Sequence, residues 1–500
     1  MAKSDLTSHA DQTLSNLTAA LKKVLKSLDS DLKQASGEGG EHPVSDHLAD
    51  IVDRAKGLLD GSLELKEAGG WPNYPHEVAA AVYALLRTGK VNSLVHSKAT
   101  VRFRRAFADY VQASHAVTVA NGTVALDLAL YGVRIGSNYG GSARDEVILT
   151  PRSFFATVSC VPRAGANPVF ADVDRETQNI TAKSVREKIS KYTKAIICVH
   201  LDGWPCDIDA IRSMLRNPED DNNKLLLRKG YRAEDLRKIR IVEDCAQAHG
   251  ARLNGRFVGG IGDVAAWSFC QDKIMTTGGE GGLVTCNDED LFRRMWSFKD
   301  HGKSIDYEPG TGMKYGDFEY NHTIFGTNWR MTEMQAFIGL LQMFELEGWL
   351  AERQKNADAT IQCLKPLIDN GVLRVPVRTC GQCEGKAACT KGEDGCRPAN
   401  YKFTLFANNG FDRGKLLQFL NDKGFKVRLG TSPEMYLEPA FRDTKWDPRR
   451  TENGGDGKFP YRLPVAQQLG DTSLTFAIHP GIDLPEPLTD DDLDLTALKS

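Results

Sequence analysis

A lysine, Lys273, stands between an apolar run, AAWSFC, and a glycine-rich turn, Gly278-Gly279-Glu280-Gly281-Gly282. Lysines are ordinarily solvated. One held in a partly desolvated site is a nucleophile that forms Schiff bases with carbonyl compounds. Five residues before it, Ser268 offers a hydroxyl to an anion. A second apolar run, IVED, ends on Asp244, with Gln247 one turn on. In open α/β sheets ligands sit beyond the carboxyl ends of the strands, although an aspartate at such a place is equally a helix N-cap. A third junction, Ala120-Asn121-Gly122-Thr123, lies between an apolar strand and a helix. Its glycine admits a close ligand and the N–H groups of a helix start attract phosphate, yet most such turns bind nothing. One cofactor unites the three places. Pyridoxal phosphate needs a lysine for its aldehyde, a carboxylate for its ring nitrogen and a cup for its phosphate. Lys273, Asp244, and Gly122-Thr123 with Ser268 supply all three, in the chain order phosphate turn, acid, lysine.

The elements that must position these residues alternate. HAVTVA (115–120) leads into a helix from about 122, and DEVILT (145–150) precedes a helix holding Ala156 to Ala164. PVFADV (168–173), KAIICVH (194–200) and IRIVEDC (239–245) follow, separated by helical or turn-rich sequence. Strands alternating with helices imply βαβ crossovers and a mostly parallel sheet. A break falls near 345–375, and beyond it YKFTLFA, FKVRLG and SLTFAIH alternate with shorter helices as a smaller α+β domain. In front, apolar spacing predicts helices over 8–34 and 46–60. The expected division is a helical extension at 1–65, a large α/β domain at 66–345 and a small α+β domain at 346–500. Residues 216–236 are rich in charge and read as a surface excursion.

The order Asn-Gly-Thr, EDCAQAHGA, SFCQDKIMTTGGEGG, FKDHGK and GTNWRMTEMQAFIG, spread from about Trp71 to Leu484, resembles the DegT/DnrJ/EryC1/StrS family of sugar aminotransferases. The resemblance implies the pyridoxal-phosphate transferase fold type I, aspartate-aminotransferase-like, with a large α/β/α domain and a smaller C-terminal domain. It implies that Lys273 carries the cofactor and that Asp244 is the partner of the pyridine nitrogen. It places Gln247 near the ring hydroxyl and Phe154, in SFFAT, on the ring face. Gly122, Thr123 and Ser268 become phosphate ligands. Asn328, in GTNWR, becomes an asparagine reaching the phosphate from a neighbouring subunit, hence a homodimer with shared active sites. Arg330 and Glu333 hold that segment in shape, His301 either lines the substrate mouth or is structural, and Arg428 and Tyr436 line the acceptor pocket. The implied activity moves an amino group from an amino acid, L-glutamate, to a nucleotide-linked keto sugar, as in nucleotide-sugar and polysaccharide biosynthesis. The alternatives are another pyridoxal-phosphate reaction, a sugar dehydratase or cyclitol transaminase, and a non-catalytic scaffold or regulator. A lysine rather than a histidine at 273 argues against the dehydratase.

Outside that outline stands RTCGQCEGKAACTKGEDGCRPAN, residues 378–400, whose Cys380, Cys383, Cys389 and Cys396 follow C-x2-C-x5-C-x6-C. Four thiolates so close suit one structural, tetrahedral zinc. The second pair lacks the C-x2-C spacing, so a loop of free thiols remains the other reading. The remaining seven of eleven cysteines are scattered, and an odd total in a long chain without a secretion signal argues against a disulfide framework. Sixty-three basic against 66 acidic residues, a net charge of −3, disfavour nucleic acid as a partner. The chain shows neither an apolar run long enough for a membrane span nor a signal-peptide core, so a cytoplasmic location is expected. Its 500 residues, 41% of them apolar, exceed what one hydrophobic core usually organises.

Overall fold

The computed structural model describes residues 71–93, 96–218, 224–228, 230–305, 322–376, 395–430, 434–442, 444 and 462–499. The two helices expected in the front section lie outside these residues, as do Cys380, Cys383 and Cys389. Residues 82–500 form one compact unit. In the other unit, residues 1–81, the described part contains the start of helix α1 (His76–Arg87).

The strands of the large sheet are β1 (His115–Val119), β2 (Glu146–Leu149), β3 (Asn167–Phe170), β4 (Thr193–Val199), β5 (Arg240–Asp244), β8 (Val264–Ser268) and β9 (Gly282–Cys286). A small hairpin, β6 (Arg252–Leu253) and β7 (Arg256–Phe257), interrupts the series. The sheet order is β1-β9-β8-β5-β4-β2-β3. All neighbours pair in parallel except β9, which is antiparallel to both β1 and β8. The carboxyl ends of β1, β5 and β8 therefore share one edge. Helices α2 (Lys98–Val111), α3 (Gly122–Gly132), α4 (Ala156–Arg163), α5 (Ala182–Lys188), α6 (Ile208–Arg216) and the short α7 (Lys224–Arg228) and α8 (Ala233–Leu236) connect or flank the strands.

Both faces of the sheet are covered, which explains why its strands read as unbroken apolar runs. Along β4, Ile196 and Cys198 enter one core with Ile148, Ile241 and Trp267, while Ala195, Ile197 and Val199 enter the other with Leu149, Val242 and Ala266. Helix α3 lies against β8 and β9 and is buried along most of its length. It begins where Asn121 accepts a hydrogen bond from the Val124 N–H at 3.0 Å, an N-cap made by a short polar side chain in extended conformation. The expected strands and helices of this domain match the observed bounds to within one to three residues. Within the expected excursion at 216–236, Leu226 and Leu236 are buried in the core and anchor the described residues there.

Helices α9 (Glu289–Lys299) and α10 (Glu333–Gln342) follow, and α11 (Leu346–Cys363) runs through the expected break. Beyond it, α12 (Lys365–Asp369), β10 (Leu373–Arg374), β11 (Phe403–Ala407), α13 (Arg413–Asp422), β12 (Val427–Leu429), α14 (Pro464–Thr472) and β13 (Ser473–Phe476) build a four-stranded antiparallel sheet ordered β10-β11-β13-β12. This sheet has its own core around Leu405, Leu416, Leu420 and Leu474. Among the described residues no helix is long and apolar enough to cross a membrane.

One of the buried titratable residues sits among aromatic rings. His249 is fully buried, its ring 5.4 Å from those of both Trp267 and Phe269. Burial, with the nearby Lys273 charge, pushes its pKa down to about 3. The folded state thus stays neutral where the unfolded state takes up a proton, so stability falls as pH drops below about 6.5. Thermal unfolding should lose ~2 kcal/mol from this group between pH 7.5 and 5. His249→Phe should flatten that part of the profile, and an unchanged slope would disprove the assignment.

Candidate active site

The residues singled out in the sequence collect at the shared edge of β1, β5 and β8. Asp244 is the last residue of β5 and is buried. Its Oδ2 accepts from the Thr157 hydroxyl at 2.7 Å and its Oδ1 from the Ala246 N–H at 3.1 Å. Burial raises its pKa above the usual carboxylate range, while these hydrogen bonds and the charge of Lys273 oppose the rise. Among the described residues it has no ion-pair partner. A buried carboxylate of this kind suits a cationic N–H brought by a ligand.

The neighbouring acid does different work. Successive residues of a strand face opposite sides, and Glu243 points to the hairpin side. It accepts from Gly259 N–H at 2.7 Å, from Ile261 N–H at 3.0 Å and from Gly262 N–H. Its Oε2 also receives His200 Nε2 at 3.2 Å. His200 Nδ1 accepts from the Cys206 N–H at 3.0 Å, which puts the ring proton on Nε2. His200, Glu243 and Cys245 bring ligand-type atoms within 4.8 Å of one another. The hydrogen bonds already commit the first two to structure.

The phosphate turn and Ser268 are brought into contact. A Cβ on Gly122 would lie 2.5 Å from Ser268 Cβ and 2.8 Å from its Oγ. Gly282, at the end of the glycine-rich turn, is equally forced, because its Cβ would overlap the Asn121 carbonyl. The helix start at Gly122-Thr123, the Ser268 hydroxyl and the turn after the lysine thus form one cradle of N–H and O–H groups suited to a phosphate. Phe154 is 69% exposed, whereas Ser153 and Thr157 on either side are buried. An aromatic presented outward from a buried turn has an uncovered face for a ring.

Lys273 is largely buried. Its Nζ lies 3.2 Å from the Tyr401 hydroxyl, 3.3 Å from Asp272 Oδ1 and 4.7 Å from the centre of the Tyr401 ring. Gln247 is buried and its Oε1 accepts from the Asp202 N–H at 2.8 Å, leaving the Nε2 end to donate elsewhere. Asn328 is exposed and pairs with Asp300 through the backbone, and Trp329 accepts at its carbonyl from the Ala120 N–H at 2.9 Å. The segment is braced as expected. Arg330 reaches Asp300 at 2.7 Å, and buried Glu333 caps α2 by accepting from Ala99 N–H, Thr100 N–H and the Thr100 hydroxyl at 2.7, 3.0 and 2.8 Å. His301 is exposed and in the left-handed region, its carbonyl meeting His322 Nδ1 at 2.8 Å.

Of the two expected lining residues, one is used internally and the other is open to solvent. The Tyr436 side chain is buried, its hydroxyl donating to Glu434 at 3.0 Å and accepting from the Leu463 N–H at 2.9 Å, so it fastens a turn. Arg428 is exposed on β12 of the small sheet. Of the four clustered cysteines, Cys396 is described: it is buried, with its thiol 3.9 Å from Asn254 Oδ1. Thr157, Asp202, Asp272 and Tyr401 are residues of this site that sequence reasoning missed. Thr157 carries a usable signal, since it stands three residues after Phe154 in SFFAT. Tyr401 carries none, being 128 residues from Lys273.

The chain belongs to the DegT/DnrJ/EryC1/StrS aminotransferase family, whose model matches residues 74–219 and 232–474. It is 35% identical over 257 residues to GDP-perosamine synthase of Escherichia coli O157:H7, covering 51% of this chain and 60% of that one. The match thus spans about three fifths of that relative's length. It is 32% identical over 417 residues to dTDP-3-amino-3,4,6-trideoxy-alpha-D-glucose transaminase of Micromonospora megalomicea, covering 83% and 94%. Among solved structures, an aminotransferase from Psychrobacter cryohalolentis superposes with a TM-score of 0.69 and 39% identity, covering 86% of this chain and 96% of that one. The fold is accordingly that of a pyridoxal-phosphate-dependent aminotransferase, an α/β domain with a mainly parallel sheet beside a smaller antiparallel one.

Gly122→Ala tests the cradle. The added methyl must displace Ser268 or the start of α3, at a cost of about 1–3 kcal/mol for overpacking. Affinity for pyridoxal phosphate, measured by absorbance titration of the apoprotein, should fall about tenfold or more. Unchanged affinity would show that this helix start does not hold the phosphate.

Proposed function

We propose that the protein is a pyridoxal-phosphate-dependent aminotransferase that takes nitrogen from L-glutamate and delivers it to a keto sugar carried on a nucleotide. The observation that carries this reading is the convergence of a buried carboxylate with no ion-pair partner among the described residues, Asp244, a largely buried lysine, Lys273, and the cradle at Gly122 and Ser268 on one sheet edge. The sugar transaminases among the relatives support the acceptor class.

Bound there, the cofactor would supply an aldehyde for nitrogen and a ring that accepts electrons. The chain's own residues supply the rest. Asp244, held by Thr157 and the Ala246 N–H, keeps a proton on the ring nitrogen. Gln247, fixed through its carbonyl by Asp202, offers its amide N–H to the ring hydroxyl. Phe154 covers one ring face, and Thr123 with the Gly122 and Ser268 groups binds the phosphate. Lys273, once its amine is released, takes the proton from the donor's α-carbon and returns it on the other side of the nitrogen, acting as base and then acid. Asn328 is proposed to complete the phosphate site of a second copy of the chain in a homodimer. Its exposure, beside the exposed Ile324 and Phe325, supports that placement.

The test is the visible absorption spectrum of the purified protein with and without L-glutamate, beside Lys273→Ala. The wild type should show a visible band that glutamate discharges, and the variant should lack it. A band indifferent to glutamate would favour another donor or another pyridoxal-phosphate reaction, and no band after reconstitution would favour a scaffold.

A structural zinc on Cys380, Cys383, Cys389 and Cys396 is a separate proposal, resting on spacing. It predicts about one zinc per chain by elemental analysis, lost in Cys380→Ser with Cys383→Ser. Metal-free wild-type protein that keeps its fold would overturn it.

A further inference from the structure

Tyr401 belongs to the small sheet's side of the chain, immediately before β11, yet its side chain is buried against the lysine of the large domain. The segment that delivers it is fastened to the loops around the site by a run of backbone hydrogen bonds. Gly395 accepts from Gly255 at 2.7 Å, and Arg397 exchanges two bonds with Arg252, both of 2.9 Å. The Ala399 N–H donates to Gly203 at 2.9 Å and the Tyr401 N–H to Asp202 at 3.0 Å. Arg353, buried, donates to the Tyr401 carbonyl at 3.2 Å. Asp202 is the residue whose own N–H holds Gln247, and its carboxylate receives the Thr404 hydroxyl of β11 at 2.7 Å. One strap, 395–404, thus touches both the lysine and the glutamine of the site.

At its end the hydrogen-bond polarity is fixed. The Tyr401 hydroxyl donates to Asp272 Oδ2, so its oxygen lone pairs are left to accept from Lys273 Nζ. Burial, together with Asp272, raises the Tyr401 phenol, so it stays protonated and keeps this polarity. Burial would raise Asp272 too, but the Lys273 charge and the Tyr401 hydroxyl outweigh it and hold the carboxyl below its ordinary range. A neutral lysine amine has two hydrogens and one lone pair. One hydrogen directed at the Tyr401 oxygen and one at Asp272 Oδ1 leave the lone pair a single direction, away from both.

We propose that Tyr401, anchored by Asp272, is a positioning residue for Lys273: the pair takes up the amine's hydrogens and so aims its lone pair into the site. Neither residue touches the reacting carbon. Their effect passes through the lysine, and the inference rests on the role proposed above for Lys273.

The experiment measures the rate at which apoprotein captures pyridoxal phosphate, followed by visible absorbance across pH, for wild type, Tyr401→Phe, Asp272→Asn and the double variant. Each single variant should slow capture about tenfold, the usual effect of one lost hydrogen bond to a charged or reacting group. Each should also shift the pH at which capture is half-maximal. The double variant should be no slower than the worse single one, because the two act as one unit. Asp272 is 57% exposed, so its substitution reports on the relay even where Tyr401→Phe fails to fold. Singles that capture at the wild-type rate with the wild-type pH profile would overturn the inference, as would a lowered unfolding temperature with unchanged capture. Wild-type apoprotein that captures no cofactor would instead defeat the proposed function, which separates the two failures.

Discussion

Asp244 is a carboxylate taken out of water at the end of a central strand, and the arrangement around it follows from what that requires. An isolated buried charge is too costly to keep, so the groups nearby all favour its ionised form. Thr157 donates a hydroxyl from α4, Ala246 donates its N–H from the turn beyond β5, and Lys273 contributes positive charge from the turn beyond β8. Three elements are thereby drawn to one point. The carboxylate still lacks an ion-pair partner among the described residues. A carboxylate so placed is open to a cationic group brought by a ligand.

The contrast with Glu243 shows how finely the strand divides its labour. The two acids are adjacent, both are buried, and alternation sends them to opposite faces. Glu243 spends its oxygens on three backbone N–H groups of residues 259–262 and on His200, which shapes the approach to β8. Asp244 is left to the Thr157 hydroxyl and the Ala246 N–H on the other side. Close backbone approach completes the cradle: Gly122 and Gly282 are glycines because Ser268 and the Asn121 carbonyl occupy the space that a side chain would need.

The small sheet adds more than a second core. Its first long strand is preceded by a strap that is hydrogen-bonded to the loops of the large sheet at 252, 255, 203 and 202, and this strap brings Tyr401 to Lys273 and Thr404 to Asp202. The last residues of the cysteine-rich insert, 395–400, are part of the same strap. Whatever orders residues 395–401 therefore also orders the lysine and glutamine that the site depends on.

The sequence by itself determined the alternation of strands and helices, because buried parallel strands must be apolar on both faces and their helices must follow at short range. It also marked Lys273, Asp244, Gln247 and the phosphate turn as candidates, since unusual residue types stand at strand ends where apolar patterning makes them conspicuous. It could not separate Asp244 from Glu243 by pattern alone, for adjacent acids look alike until a register assigns them faces. Tyr436, expected at the acceptor pocket, is instead used internally, because a buried hydroxyl goes to the nearest donor and acceptor that the fold supplies. Tyr401, Asp202 and the bracing by Glu333 were decided by tertiary structure alone. Their partners lie from 45 to more than 200 residues away, and only the packing of the small sheet and of α10 brings those groups within hydrogen-bonding distance.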